Sequence, residues 1–243
     1  MSILFFVVVF GLTLFLQNWL HRHIQRLALA ITGNPGCAVR LLFYLLLPGV
    51  LVHEFSHYVT ARLLLVKASG PRLGLGRVKK NRMSLGSVSI AKCDPVRESL
   101  IGVAPFAVGI GAIWLLAGVG IGLWPNSPFS LDLILGRIGQ SLHDWTLWLD
   151  VYLIFAVSTA MIPSESDREP WGPVVTVLGL GAAVLFLMGW APQVPQDVVR
   201  AARQLIDALT FALGIAVVVN GLVGAALWLL ERVVGGLQAR RMG

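Results

Sequence analysis

The chain has 243 residues, of which 56% are hydrophobic and only 13% are charged. Soluble domains carry about twice that charged fraction, so the composition excludes an ordinary soluble enzyme and indicates an integral membrane protein. The net charge of +7 fits basic loops that lie on an anionic membrane face. No basic segment with interleaved aromatic residues favours nucleic acid, so we expect no nucleic-acid partner.

Apolar runs along the chain predict the transmembrane helices, because a helix needs roughly 20 residues to cross a bilayer. The predicted spans are 3–20, 41–65, 99–123, 147–162, 173–190 and 208–230. The first run lacks the basic start and the small-residue cleavage pattern of a signal peptide. The expected fold class is therefore all-α and polytopic, with about six transmembrane helices embedded in a lipid bilayer.

The distribution of lysine and arginine predicts the orientation of these helices. With the N-terminus in the cytoplasm, 13 of the 19 basic residues fall on the cytoplasmic side and 6 on the other side. Cytoplasmic loops are enriched in lysine and arginine, so both termini are expected in the cytoplasm and the protein in the cell membrane. Most of this bias comes from the single loop 67–98.

The loop 67–98, which follows the second span, has the pattern of a small β-hairpin. Segments with strand character occur at 71–78 and 82–91, around a Lys-Lys-Asn-Arg turn. The alternation of apolar residues in the second segment changes phase at Gly86–Ser87, which predicts a β-bulge there. A solvated basic loop without regular structure is the alternative interpretation.

Three ionisable residues lie close together just past the middle of the second span. His53 and His57 are one helical turn apart, so both imidazoles can reach the same metal ion. Glu54 follows the first histidine, as in the H-E-x-x-H pattern of zinc hydrolases, where the glutamate acts on a water molecule. Ionisable side chains at that depth cost several kcal/mol in free energy, so packing alone explains them poorly.

A catalytic zinc site needs a third protein ligand and an open position for water. The other histidines are expected to be solvated near the membrane surfaces: His21, His23 and His143. A proline at position 163 breaks the fourth span near its cytoplasmic end and exposes local backbone, which is a way to aim a carboxylate inward. Three carboxylates follow that proline, and the residues alone leave the choice among them open: Glu165, Asp167 and Glu169.

The segment "HEFSHYVTA" resembles the H-E-x-x-H-x-x-x-A pattern of the site-2 protease group of intramembrane zinc metalloproteases, with Ala61 at the alanine position. In that group, an aspartate in a later, proline-containing transmembrane segment is the third zinc ligand. "STAMIPSESD" is similar to that segment, with Asp167 as the aspartate, although Arg168 replaces the usual glycine. The group also places a membrane-associated β-hairpin after the H-E-x-x-H helix, where the loop 67–98 lies here.

The resemblance implies a division of the chain and a function. It covers a three-helix metalloprotease core at 41–172, which contains the hairpin, flanked by an N-terminal helix and linker at 1–40 and by C-terminal helices at 173–243. It implies one zinc ion per chain, bound by His53, His57 and Asp167, with Glu54 as the general base. The expected substrate is a transmembrane segment of another membrane protein, cleaved by peptide-bond hydrolysis.

Two other functions are compatible with a polytopic fold. One is a catalytically inactive membrane scaffold or assembly factor, but a degenerate site would usually lose a ligand or the glutamate, and positions 53, 54 and 57 are intact. The other is a metal transporter, which would need polar residues along several spans. The third, fifth and sixth spans are nearly free of them, and Asn220 in the sixth span is expected to make an interhelical hydrogen bond.

Overall fold

The computed structural model describes residues 3–74, 86–124, 130–140, 142–189 and 195–242, and it is mostly helical. The elements in this part of the chain are α1 (Ile3–Thr32), α2 (Pro35–Leu63), β1 (Arg72–Leu73), β2 (Gly86–Ser87), α3 (Pro95–Gly120), α4 (Leu131–Gln140), α5 (Trp145–Ala160), α6 (Glu165–Arg168), α7 (Trp171–Leu187) and α8 (Gln196–Met242).

Five helical segments are long and apolar enough to cross a membrane, which supports an all-α membrane protein. They are α1, α2, α3, the segment Glu165–Leu187 and the part of α8 up to Val234. The fourth predicted span corresponds to α5, which is apolar but has only 16 residues. Each of the six predicted spans therefore corresponds to an apolar helix, five of which are long enough to cross a membrane.

The first helix is longer than the hydropathy of the chain predicts. The apolar run weakens at His21, yet α1 continues to Thr32. It ends where Gly33 adopts a φ of 62°, the left-handed conformation that glycine supplies at helix C-termini. Two residues later α2 begins at Pro35, with Asn34 as the N-cap that accepts from the amides of Gly36 and Cys37.

The helices α2, α3 and α5 pack against one another, and α1 packs along α8. Buried apolar side chains from these helices form one continuous core, which includes Leu46, Ile113, Ile154 and Leu213. At its centre, Ser158 of α5 donates a hydrogen bond to the side-chain oxygen of Asn220 in α8, which confirms the interhelical bond predicted for Asn220. By contrast, α7 packs mainly on α3 and has no buried residue.

Glycines let the three central helices approach closely. A Cβ added to Gly49 of α2 would overlap the carbonyl oxygen of Ala156 in α5. One added to Gly109 of α3 would lie 2.6 Å from the Cβ of Met161, just after α5. Small residues at such contacts allow helices to approach closely, and the resulting van der Waals packing is one of the attractions that hold helices together in lipid. The end of α5 is thereby held against both neighbouring helices.

The predicted hairpin is present in the described residues of the loop 67–98. Strands β1 and β2 pair in antiparallel fashion, Arg72 with Ser87 and Leu73 with Gly86, and a further bridge joins Ala68 to Ile90. The turn at 79–82 and the residues Met83 and Leu85 lie outside the described residues.

The bulge predicted at Gly86–Ser87 is wrong, because both residues pair regularly with β1. Three residues separate Ala68 from Arg72, whereas two separate Ser87 from Ile90, so the extra residue lies on the first strand. Pro71 is in that stretch, and a proline cannot donate to the ladder of a sheet. The irregularity in the hairpin therefore lies in the first strand, between Ala68 and Arg72, and not in the second strand.

Candidate metal centre

The two histidines of the H-E-x-x-H motif face each other within the helix bundle. His53 and His57 lie on one face of α2, and their Nε2 atoms are 3.2 Å apart. The two rings meet edge to face, with centroids 4.8 Å apart. Only 14% of the His53 side chain and 7% of the His57 side chain are exposed, so both imidazoles are largely withdrawn from the surface.

A short capped helix brings Asp167 to the same point. Ser164 is the N-cap of α6: its amide donates to Oδ2 of Asp167 at 2.7 Å, and its hydroxyl accepts from the Asp167 amide at 3.4 Å. This reciprocal capping box fixes the direction of the carboxylate. Oδ1 of Asp167 then lies 3.4 Å from Nε2 of His57, and Oδ2 lies 3.8 Å from Nε2 of His53.

These three side chains form a group that can hold a metal ion, with ligand atoms that all lie within 4.8 Å of one another. A tetrahedral zinc site with bonds of 2.0–2.1 Å places neighbouring ligand atoms about 3.3 Å apart. The nitrogen–nitrogen distance of 3.2 Å matches that value, and the nitrogen–oxygen distances of 3.4 and 3.8 Å, which involve different oxygens of the carboxylate, approach it. Glu165 and Glu169, the other two carboxylates considered, are both exposed.

Backbone carbonyls determine which nitrogen of each histidine carries the proton. Nδ1 of His53 is 2.7 Å from the carbonyl oxygen of Ala160, and Nδ1 of His57 is 2.9 Å from that of Ile101. A carbonyl oxygen only accepts, so both Nδ1 atoms donate and each neutral ring carries its lone pair on Nε2. With both rings neutral, two lone pairs and a carboxylate converge at this point, an environment that a cation stabilises, whether a metal ion or a proton on one Nε2.

Glu54 occupies the next position on α2 and is covered by the hairpin. Its side chain is buried, at 8% exposure. A Cβ added to Gly86 of β2 would lie 2.7 Å from both Cγ and Oε1 of Glu54. Glycine at position 86 is therefore what allows a strand to lie directly on the glutamate. Sequence reasoning missed this role, because the two residues are far apart along the chain.

The remaining residues of the motif have structural roles. The hydroxyl of Ser56 donates to the carbonyl of His53 at 2.6 Å, so this buried serine is satisfied within its own helix. Ala61 is fully buried and packs with Val66 and Ile101 where α2 meets α3. Neither residue is needed as a ligand, and the chemistry of the motif rests on His53, Glu54 and His57.

The other histidines stay outside the metal group, but two of them, His21 and His23, are partly buried and not solvated as predicted. His143 is exposed, and Nδ1 of His21 bonds to the carbonyl of Gln17 in α1. His23 lies between α1 and α8, where Nδ1 is 2.8 Å from Oε2 of Glu231. Its ring also stacks on Trp19, with centroids 3.8 Å apart. Because α1 and α8 both extend past the predicted spans, they partly cover a position that hydropathy places at the surface.

A close backbone contact behind Asp167 leads to a testable prediction. A Cβ on Gly102 of α3 would overlap the carbonyl oxygen of Asp167. Gly102→Ala should therefore push α6 away from α3, destabilise the fold by about 1–3 kcal/mol and weaken metal binding. Thermal unfolding and zinc titration of the purified variant measure the two effects.

Gly111→Ala on the same helix is the matched control. No atom lies within 4 Å of a Cβ at Gly111, and alanine is favoured over glycine inside a helix by about 0.5–1 kcal/mol. This variant should bind metal normally and unfold at the same or a slightly higher temperature. Equal metal affinities for the two variants would show that the contact at Gly102 does not position Asp167.

Comparison of the chain with protein-family models, with curated proteins and with solved structures finds no match in any of the three. The functional conclusion therefore depends on the geometry and chemistry of the site itself.

Proposed function

We propose that the chain is an intramembrane zinc endopeptidase similar to the site-2 protease group. The observation that carries this proposal is the convergence of two imidazole lone pairs and the Asp167 carboxylate beside Glu54. A structural histidine pair would be expected to place a hydrogen-bond donor between its two ring nitrogens. Here the Nδ1 donors of both neutral rings are committed to backbone carbonyls, so the facing Nε2 atoms are free to bind an ion.

Zinc is the proposed ion because of the ligand set. Two imidazoles and one carboxylate are a common combination in catalytic zinc sites, whereas magnesium and calcium prefer oxygen ligands. Three protein ligands also leave one position of a tetrahedral ion open for water or substrate. We therefore propose one zinc ion per chain, held by His53, His57 and Asp167.

The proposed reaction is hydrolysis of a peptide bond. Bound zinc supplies Lewis acidity, which lowers the pKa of water to about 7 and polarises a carbonyl. Glu54 accepts a proton as the water oxygen attacks the carbonyl carbon. When the carbon–nitrogen bond breaks, Glu54 delivers that proton to the leaving amine nitrogen. Burial of Glu54 under β2 keeps bulk water away from this proton transfer.

The proposed substrate is a transmembrane segment of another protein, because the site lies within α2, a helix that is long and apolar enough to cross the membrane. The carbonyls of a substrate helix are already hydrogen-bonded, so the segment must unwind locally before attack. Strand β2 lies on Glu54, and we propose that the hairpin holds the unwound segment in an extended form by strand addition.

Substrate capture tests the enzyme reading. Glu54→Gln keeps the three proposed ligands but removes the base. The variant should therefore co-purify with an intact membrane protein, its substrate, which the wild type cleaves and releases as fragments. The captured protein is then reconstituted in liposomes with wild-type or Glu54→Gln enzyme. Cleavage by the wild type should be at least 10²-fold faster, in line with the loss of a general base. A partner that both forms capture, and that the zinc-loaded wild type leaves intact, would instead favour the scaffold alternative.

We also propose that both termini are cytoplasmic and that the protein lies in the cell membrane. Cys37 is near the start of α2 and Cys93 precedes α3, so one crossing separates them. In sealed vesicles of known orientation, a membrane-impermeant thiol reagent should label Cys93 only from the cytoplasmic face and Cys37 only from the other face.

Partial burial and the carboxylates of Glu98 and Asp94 raise the pKa of the Cys93 thiol, so the labelling needs alkaline buffer. Labelling of both cysteines from one face would rule out this topology.

A further inference from the structure

The carbonyl that orients His57 has lost its normal helical partner. In an α-helix, each carbonyl accepts from the amide four residues further along the chain. For Ile101 of α3 that residue is Pro105, which lies inside the helix and has no amide hydrogen. The carbonyl oxygen of Ile101 instead accepts from Nδ1 of His57 at 2.9 Å.

The carbonyl that orients His53 is free for a related reason. The amide four residues beyond Ala160 is that of Ser164, and it donates to Oδ2 of Asp167. One residue earlier, Thr159 would pair with Pro163, which again has no amide hydrogen. The chain therefore leaves α5 at this point, and its last two carbonyls accept from side chains: Gln17 on Thr159 and His53 on Ala160.

We propose that Pro105 is a positioning residue of the metal centre and that the break at Pro163 has the same role for the second histidine. Pro105 removes the amide that would donate to the carbonyl of Ile101. Pro163 interrupts α5, so the amide of Ser164 does not donate to the carbonyl of Ala160. The freed carbonyl becomes the acceptor for a ligand histidine. This fixes the ring orientation and keeps the proton on Nδ1, with Nε2 directed at the metal. The inference rests on the proposed function in that it takes His53 and His57 as metal ligands.

The chemistry of a buried carbonyl makes this arrangement effective. A buried carbonyl without any donor is unfavourable. The amide that normally competes for the Ile101 oxygen is missing at Pro105, so the bond from His57 is favoured. Hydrogen bonds from metal-ligating histidines to acceptors outside the metal site typically affect metal affinity by 10–100-fold. Pro105 never touches the proposed metal; it acts only through Ile101 and His57.

Pro105→Ala tests the inference, because alanine restores an amide that can donate to Ile101. Zinc affinity, measured by competition with a chromophoric chelator, should fall on the order of 10–100-fold. Nitrogen NMR of labelled His57 in the zinc-free protein should change from a single Nδ1–H tautomer to a mixture. Thermal unfolding is recorded in parallel, so that loss of the folded state is recognised.

Two controls separate the missing amide from the shape of the proline ring. An ester-linked lactate at position 105, introduced by nonsense suppression, removes the ring without restoring an amide hydrogen and should keep wild-type zinc affinity. Pro173→Ala removes a proline from the first turn of α7, where the restored amide has no contact with the carbonyls of Ile101 or Ala160, and should also leave affinity unchanged.

The outcomes distinguish this inference from the proposed function. A wild-type protein that binds no zinc would overturn both. Zinc binding by the wild type, with equal affinity and an unchanged His57 tautomer in Pro105→Ala, would overturn the inference alone. It would also fail if the lactate variant lost affinity as Pro105→Ala does, because the ring and not the missing amide would then be responsible.

Discussion

Replacement of either His53 or His57 by alanine is expected to reduce the zinc content of the purified protein from about one ion per chain to a trace. Each histidine supplies one of only three proposed ligands, and each is held in place by a bond to a backbone carbonyl. Two remaining ligands cannot hold zinc against even a mild chelator. Elemental analysis after size-exclusion chromatography in detergent measures the zinc-to-protein ratio.

Two controls make this result specific. His143→Ala removes an exposed histidine outside the group and should retain the full zinc content. Glu54→Gln should retain zinc as well, because Glu54 is not a proposed ligand, yet it should abolish cleavage. If His53→Ala or His57→Ala kept stoichiometric zinc, the ion would have to be bound elsewhere, and the zinc centre described above would be wrong.

Loss of Asp167 is expected to have an effect nearly as large, and it tests the choice among the three carboxylates. Asp167→Ala should lower zinc affinity by orders of magnitude and remove activity. It should also cost about 0.5–2 kcal/mol of stability, because the carboxylate caps α6 through the amide of Ser164. Glu165→Ala and Glu169→Ala alter exposed residues and should leave the zinc content unchanged.

Asp167→Asn separates metal binding from capping. The amide oxygen of asparagine still accepts from the Ser164 amide, so the cap and the stability should be largely preserved. The negative charge is lost, however, and zinc affinity should fall as it does in Asp167→Ala. An aspartate that served only as a cap would show the opposite result, with normal zinc content in the asparagine variant. Loss of zinc in Glu165→Ala but not in Asp167→Ala would transfer the role to the glutamate.

The histidine pair could be located from the sequence because its evidence is local. Positions four apart on a helix share a face, and three ionisable residues in an apolar run stand out against their surroundings. The choice of the third ligand depended on the family resemblance, because the residues alone do not choose among three carboxylates. A local signal was nevertheless present: Ser164 precedes Asp167 by three positions, the spacing of a capping box. It directs the Asp167 carboxylate back toward the start of α6.

Contacts between distant segments could not be predicted in this way. Gly86 on Glu54, Gly102 on Asp167 and the pairing of His23 with Glu231 each join residues that are far apart in the chain. The sequence also does not predict the amphipathic helix α4, because its ten residues span fewer than three helical turns and give only a short periodic pattern. The prolines at 105 and 163 are visible in the sequence, but which side chains use the freed carbonyls depends on how the helices pack.

X-ray absorption at the zinc edge of the wild-type protein tests the central claim most directly. The account predicts about one zinc per chain, with two imidazole nitrogens, one carboxylate oxygen and one water oxygen at about 2.0–2.1 Å. The outer-shell scattering of imidazole should fall by half in His57→Ala protein reconstituted at high zinc. A spectrum with sulfur ligands, with no imidazole scattering, or with six oxygen ligands would contradict the account, as would wild-type protein that contains no zinc when purified without chelator.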